Sequence, residues 1–270
     1  MQPTSIPTSS PAIPTLSPTL SSIISGSATN TFSLSPVPDT REAMADWLVN
    51  AWRNGEDPAE IKKILAEQGQ LKNDIEWLGN RVDWVTTDLD GDNQAEWLIA
   101  LYPYSVNLGA ADGVFWIINH EGITYEVLPD NPNRLVPVPI ASADLTGDGL
   151  PEVITKEYFA GTTSHTAWYQ VLSTHHGPIK NIVQRGNQLD KDSQEMRSVD
   201  RFDHQLGPSI EMTTPDLFEI VDKTGDGLPD LLVGLGGAWS LGAKNRSYRQ
   251  EVWAWDGQGI TLANIEWEEQ

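Results

Sequence analysis

Acidic side chains recur at one fixed spacing in three nine-residue segments of this chain, residues 88–96, 144–152 and 222–230. Positions 1, 5 and 9 of each segment are Asp or Glu, position 3 is Asp once and Thr twice, and position 4 is always Gly. Such a density of hard oxygen atoms suits Ca²⁺, which takes six to eight oxygen ligands at about 2.3–2.6 Å. Glycine and asparagine tolerate the left-handed backbone that a chain curled around an ion requires. The sequence therefore predicts three calcium-binding loops.

The candidate ligands follow from this curl. Positions 1, 3 and 5 turn side-chain oxygens inward, position 7 offers its backbone carbonyl, and position 9 closes the shell with a carboxylate at the start of a strand. The predicted ligands are Asp88, Asp90, Asp92, Gln94 and Glu96 in the first loop, Asp144, Thr146, Asp148, Leu150 and Glu152 in the second, and Asp222, Thr224, Asp226, Leu228 and Asp230 in the third. The alternative is that these segments are Asx turns between strands and hold no metal.

An EF-hand is the obvious competing motif, and the residues exclude it. Its loop requires a bidentate Glu at position 12 and a helix that leaves the loop. Position 12 is Ile99, Thr155 and Val233 in the three segments, inside β-like runs. Closure at position 9 is therefore the better description.

Ninth-position closure resembles the FG-GAP and VCBS repeats of integrin-type β-propellers, whose loop pattern is Asp-x-Asp-x-Asp-Gly-x-x-Asp. Thr146 and Thr224 depart from that pattern at position 3 and lower the charge of their loops. The resemblance covers about residues 81–267, and residues 253–257 (WAWDG) are similar to hairpins in such repeats of exported bacterial proteins. It implies four-stranded blades in which the calcium loop joins the first two strands.

The elements that would hold the loops are short strands and hairpins after residue 80. A hairpin pattern follows each loop, which indicates an internal repeat. The predicted fold is mainly β, with three β-propeller-like four-stranded blades at about residues 81–137, 138–190 and 215–267 of a repeat domain over 81–270. Propellers usually need four to eight blades, so helices, the tail or another chain must cover the open edges.

Two different segments precede the repeats. Residues 39–80 are predicted to be helical, because Met44, Trp47 and Leu48 begin an apolar stripe at helical spacing. Residues 1–38 contain no charged side chain, sixteen Ser or Thr and seven Pro, which is typical of an extended arm or stalk.

Composition narrows the function. The chain carries 17 basic and 38 acidic residues, a net charge of −21, and no cysteine. The charge argues against nucleic acid, whose phosphates require Lys and Arg, and the lack of cysteine excludes disulfides and thiolate sites. No apolar run reaches the length of about 18 residues that a membrane span needs. No zinc-hydrolase spacing, nucleophile elbow or phosphate-binding loop is present, so the protein is predicted not to be an enzyme.

These features predict an extracellular or cell-surface protein with three Ca²⁺ sites and a structural or adhesive role. Its partner would be a protein or glycan at the cell surface, or copies of itself. One alternative is a self-assembling subunit of an extracellular filament or sheath that uses the N-terminal arm. A second is a carbohydrate-binding or glycan-active protein, for which tryptophans such as Trp239 would provide a sugar platform.

Overall fold

The structure, a computed structural model, describes residues 34, 37–71, 81–102, 113–127, 136–160, 165–174, 177–184, 210–213, 215–235 and 247–269. All of them belong to one compact unit, Phe32–Gln270. The predicted arm over 1–38 lies outside the described residues except for Leu34, Val37 and Pro38, and Trp239 lies outside them as well.

Two helices precede the β-structure, as predicted. Helix α1 (Arg41–Arg53) begins where the Thr40 hydroxyl accepts a hydrogen bond from the Ala43 N–H at 3.3 Å. The helix is capped at its C-terminus by Asn54, and Gly55 follows with a φ of +70°, which glycine adopts more readily than other residues. Helix α2 (Pro58–Leu71) starts with proline in its first turn. Among the described residues, no helix is long and apolar enough to cross a membrane.

Thirteen strands follow in the described part of the chain. They are β1 (Arg81–Thr87), β2 (Glu96–Tyr102), β3 (Val114–Asn119), β4 (Gly122–Val127), β5 (Val138–Ala143), β6 (Glu152–Ala160), β7 (His165–Ser173), β8 (Lys180–Asn181), β9 (Ile210–Thr213), β10 (Pro215–Val221), β11 (Asp230–Leu235), β12 (Ser247–Trp255) and β13 (Ile260–Glu269). They form three antiparallel sheets, ordered β1-β2-β3-β4, β5-β6-β7-β8 with β9 also paired to β7, and β10-β11-β12-β13. The fold is therefore mainly β, and these described strands form no closed barrel.

The two faces of the first sheet bury different neighbours. Ile99 and Trp116 face a core that includes Met44 and Leu48 of α1. Leu98, the residue before Ile99, faces the opposite way into a core shared with the second sheet. Burial on both faces explains why β2 and β3 are continuous apolar runs rather than alternating ones. The helices thus cover a face of the first sheet. From the sequence, they were one possible cover for an open sheet edge.

The second and third sheets continue the stack. Ile154 and Tyr169 of the second sheet share a core with Leu231 and Trp253 of the third. The Tyr169 ring also stacks on Phe218 at 5.4 Å between ring centroids. The core therefore continues from the helices to the first sheet, from the first sheet to the second, and from the second sheet to the third. Each of the three sheets contains one of the predicted loops.

The second sheet departs from a regular four-stranded blade. Its fourth position is divided, because β8 pairs with Leu172 and Ser173 of β7 while β9 pairs with β7 farther along. The hairpin pattern that follows the second loop therefore corresponds here to a short strand, since β8 has only two residues. After β8 the chain turns to the third sheet, where Val183 forms a parallel bridge with Ile260.

Candidate metal centre

Each predicted loop connects the first two strands of its sheet: β1 to β2, β5 to β6 and β10 to β11. The glycine at position 4 has nearly the same conformation in all three, with φ of +79° at Gly91, +76° at Gly147 and +78° at Gly225. Position 6 is also left-handed, including Asn93 at +66°. The glycine and asparagine pattern therefore predicted the backbone correctly, since L side chains rarely adopt this region.

The first carboxylate of each loop holds the loop's own backbone. Asp88 accepts hydrogen bonds from the Gly91 N–H at 2.8 Å and the Asn93 N–H at 2.9 Å. The same pair of contacts occurs at Asp144 and at Asp222, with distances from 2.6 to 3.1 Å. Position 1 is thus an Asx-type support of the curl.

The ninth-position carboxylate is buried in every loop. Glu96 is 3 % exposed, Glu152 1 % and Asp230 1 %. In each case one carboxylate oxygen accepts the N–H of position 2, at 2.6 Å from Leu89, 2.7 Å from Leu145 and 2.7 Å from Lys223. This contact closes the nine-residue ring between its second and last residues.

The second oxygen of that carboxylate distinguishes the loops. Glu152 Oε1 accepts from the Ser173 hydroxyl at 2.9 Å and the Thr146 hydroxyl at 3.3 Å. Asp230 Oδ1 accepts from the Thr224 hydroxyl at 3.5 Å. Glu96 Oε1 is buried and has no hydrogen-bond partner. A buried oxygen without a donor costs free energy, so the first loop lacks one favourable contact that the other two possess.

Three carboxylates of the first loop, that of Glu96 among them, lie close together. One oxygen each of Asp88, Asp90 and Glu96 lies within 4.8 Å of the others, a spacing at which they could hold a metal ion. Within the described part of the chain, the second and third loops contain no such group of three acidic or histidine side chains. Asp92 lies apart from the cluster: its oxygens accept from the Gln94 N–H at 2.7 Å and lie 3.7 Å from His120 Nδ1.

Burial is the main cause that raises the pKa of Glu96 to about 7. The Leu89 N–H opposes the shift, while the charges of Asp90 and Asp88 add to it. Burial also raises the pKa of Glu152, against hydrogen bonds from Leu145 and Ser173. Without a nearby positive charge, the ionised form of Glu96 is therefore disfavoured in the folded protein.

Sequence reasoning missed the contacts that surround the first loop. The Trp52 indole N–H of α1 donates to the Ala95 carbonyl at 2.9 Å. Arg53 donates to the His120 and Glu121 carbonyls in the turn between β3 and β4 at 3.3–3.4 Å. Trp52 lies eight residues after Met44, on the apolar stripe of α1, which predicts only a position in the core, and no signal in the sequence paired it with residue 95.

Comparison with protein-family models, with curated proteins and with solved structures finds no match for this chain. The interpretation of the loops therefore rests on their residues and on the geometry described above.

Proposed function

We propose that the first loop binds Ca²⁺ through Asp88, Asp90 and Glu96. The observation that carries this proposal is the group of Asp88, Asp90 and Glu96, in which one carboxylate oxygen of each lies within 4.8 Å of the others and Glu96 also has a buried oxygen, Oε1, without a hydrogen-bond partner. A divalent cation would neutralise that group and give the oxygen a partner. Oxygen donors on an irregular loop fit Ca²⁺ better than Mg²⁺, which demands near-ideal octahedral geometry, or Zn²⁺, which favours nitrogen and sulfur.

Other ligands of the first loop would come from its backbone and from Asp92. The Gln94 carbonyl is the position 7 ligand that the loop pattern predicts. The Asp92 carboxylate lies outside the group of three carboxylates and would have to exchange its contacts with Gln94 and His120 for the ion. Water molecules would complete the six to eight oxygens that Ca²⁺ takes.

The second and third loops are proposed as weaker Ca²⁺ sites with the same predicted ligands. Each has one carboxylate fewer, because Thr146 and Thr224 occupy position 3. Their hydroxyls already donate to the closing carboxylates of Glu152 and Asp230. Calcium affinity decreases when a loop has fewer charged ligands, so we expect these loops to fill after the first.

We further propose a structural or adhesive role outside the cytoplasm, without catalysis. Sites with dissociation constants of about 10⁻⁴–10⁻³ M fill only where calcium is millimolar, as in extracellular modules. The net charge of −21 is compatible with a cation-rich medium that screens it. Leu34 and Val37 pack on the chain's own helical core, so an arm that joins another copy would have to use residues before them.

Isothermal titration of chelator-stripped protein with CaCl₂ tests the metal site. We expect the tightest binding event to disappear in Asp90→Ala and to persist in Asp256→Asn. Asp256 is a matched control because it also caps a turn, accepting from the Gln258 and Gly259 N–H groups at 2.9 Å, but it belongs to a β-hairpin. Absence of calcium uptake by the parent protein would overturn the proposal.

A further inference from the structure

Leu89, at position 2 of the first loop, connects the metal cluster to the second sheet. Its N–H donates to Glu96 Oε2 at 2.6 Å, which fixes the closing carboxylate. Its side chain is 3 % exposed and lies in the core between the first and second sheets. Its carbonyl accepts a hydrogen bond from the Thr174 hydroxyl, which follows β7 of the second sheet. One residue, Leu89, therefore contacts both a predicted ligand and a neighbouring sheet.

Thr174 belongs to a dipeptide that contacts two loops. Ser173, the residue before it, donates to Glu152 Oε1 of the second loop at 2.9 Å. Thr174 donates to the Leu89 carbonyl of the first loop. The end of β7 thus donates a hydrogen bond to each of the first two loops.

A second contact joins the same two loops. A Cβ atom built on Gly91 would lie 3.0 Å from Leu150 Cδ2, so the position 7 leucine of the second loop packs on the position 4 glycine of the first. The contact repeats one step along the chain, where a Cβ on Gly147 would lie 2.8 Å from Leu228 Cδ2. At Gly225 no such contact occurs among the described residues. The leucine at position 7 of one loop therefore packs on the position 4 glycine of the preceding loop at both junctions between neighbouring loops.

We propose that the second sheet completes the cation site of the first, with Thr174 and Leu150 as positioning residues. Thr174 holds Leu89, whose N–H aims the Glu96 carboxylate, and Leu150 holds the left-handed turn at Gly91, between Asp90 and Asp92. Neither side chain touches the ion. This inference rests on the proposed Ca²⁺ site in the first loop.

Thr174→Val removes the hydroxyl and keeps the shape of the side chain. We expect it to raise the calcium dissociation constant of the tightest site about two- to tenfold, the range that one net hydrogen bond supports. Leu150→Ala should weaken the same site, since its backbone carbonyl is retained and only the packing on Gly91 is lost. Both constants are measured by isothermal titration of the full chain with CaCl₂.

Two controls separate positioning from a general loss of stability. Thr174→Ser keeps the hydroxyl and should bind calcium within twofold of the parent. Ile140→Ala removes apolar volume from the same sheet on the side of the third sheet, and it should lower the unfolding temperature of metal-free protein without changing the tightest constant. Parental affinity in both Thr174→Val and Leu150→Ala, or equal weakening in Thr174→Ser and Thr174→Val, would overturn the inference and leave the calcium site standing. A parent protein that takes up no calcium would overturn both proposals.

Discussion

Replacing Glu96 by Gln should stabilise the metal-free protein at neutral and alkaline pH and should reduce the stability that calcium adds. In the metal-free protein, burial raises the pKa of Glu96 from 4.5 to about 7. Between these values the folded chain keeps a proton that the unfolded chain has released. Stability falls wherever the folded state binds more protons and pH rises, so the metal-free protein should lose stability from about pH 4.5 to about pH 7.

The size of the effect follows from the shift in pKa. At 1.36 kcal/mol for each pKa unit, the ionised Glu96 costs on the order of 3 kcal/mol above pH 7. Gln is neutral at every pH, its oxygen can accept the Leu89 N–H, and its amide nitrogen can donate toward Asp88 or Asp90. Metal-free Glu96→Gln should therefore be more stable than the parent at pH 8, and the difference should become small near pH 4.5.

Calcium should narrow this difference in stability between the two proteins. Binding favours the ionised carboxylate, so calcium affinity of the parent should increase from about pH 5 to pH 8, with release of up to one proton. A ligand at ten- to hundredfold excess over its dissociation constant stabilises the folded state by about 1.4–2.7 kcal/mol. Glu96→Gln should lose the part of this gain that comes from the first loop.

Urea unfolding of chelator-stripped protein at pH 5 and pH 8, with and without CaCl₂, measures both effects. Glu219→Gln is the matched control, because it makes the same chemical change at an exposed position of β10. If metal-free Glu96→Gln were less stable than the parent at pH 8, or if both proteins gained equally from calcium, the reasoning from the buried, unpartnered carboxylate would be refuted.

Four further substitutions test individual contacts. Thr146→Asp should tighten calcium binding by the second loop by roughly tenfold, since it adds a ligand charge, and titration calorimetry should show an additional strong site. Gly91→Ala and Gly225→Ala both force alanine into a left-handed conformation at a cost of about 1–2 kcal/mol, and Gly91→Ala should cost more in urea unfolding because Leu150 occupies the space of the new methyl group. Trp52→Phe removes the indole hydrogen bond to the first loop and should lower the free energy of unfolding by about 0.5–1.5 kcal/mol. Equal losses in the presence and absence of calcium would argue that this hydrogen bond does not support the cation site.

The local form of the loops could be predicted from the sequence because it depends on neighbouring residues. A glycine at position 4 is needed where φ is near +78°, and an aspartate at position 1 reaches the N–H groups three and five residues along the chain. Both requirements act within nine residues. The mainly β fold and the helices of residues 41–71 were predictable for the same reason, since periodicity of apolar residues is a local signal.

The packing between elements could not be predicted in the same way. The apolar stripe of α1 showed that one side is buried, but nothing in it specified the face of the first sheet rather than an edge. In the second sheet, β8 and β9 share the fourth position because the chain leaves the sheet after β8, where Val183 forms a bridge with Ile260. These two residues are 77 positions apart in sequence (260 − 183). Thr174 and Leu89 are 85 positions apart, and their contact likewise leaves no pattern in the sequence.

Position 3 shows why residue types alone gave an incomplete prediction for the loops. Counting charges treats threonine as a weaker ligand than aspartate. The structure adds that threonine is also a donor, and that in the second and third loops its hydroxyl points to the buried carboxylate that closes the ring. Aspartate at position 3 of the first loop has no proton to donate at neutral pH, so it adds repulsion where threonine adds a hydrogen bond. Under the proposed function, a cation would therefore stabilise the first loop most, because its position 3 offers no hydrogen bond and its closing carboxylate lacks the further donor that Ser173 provides in the second loop.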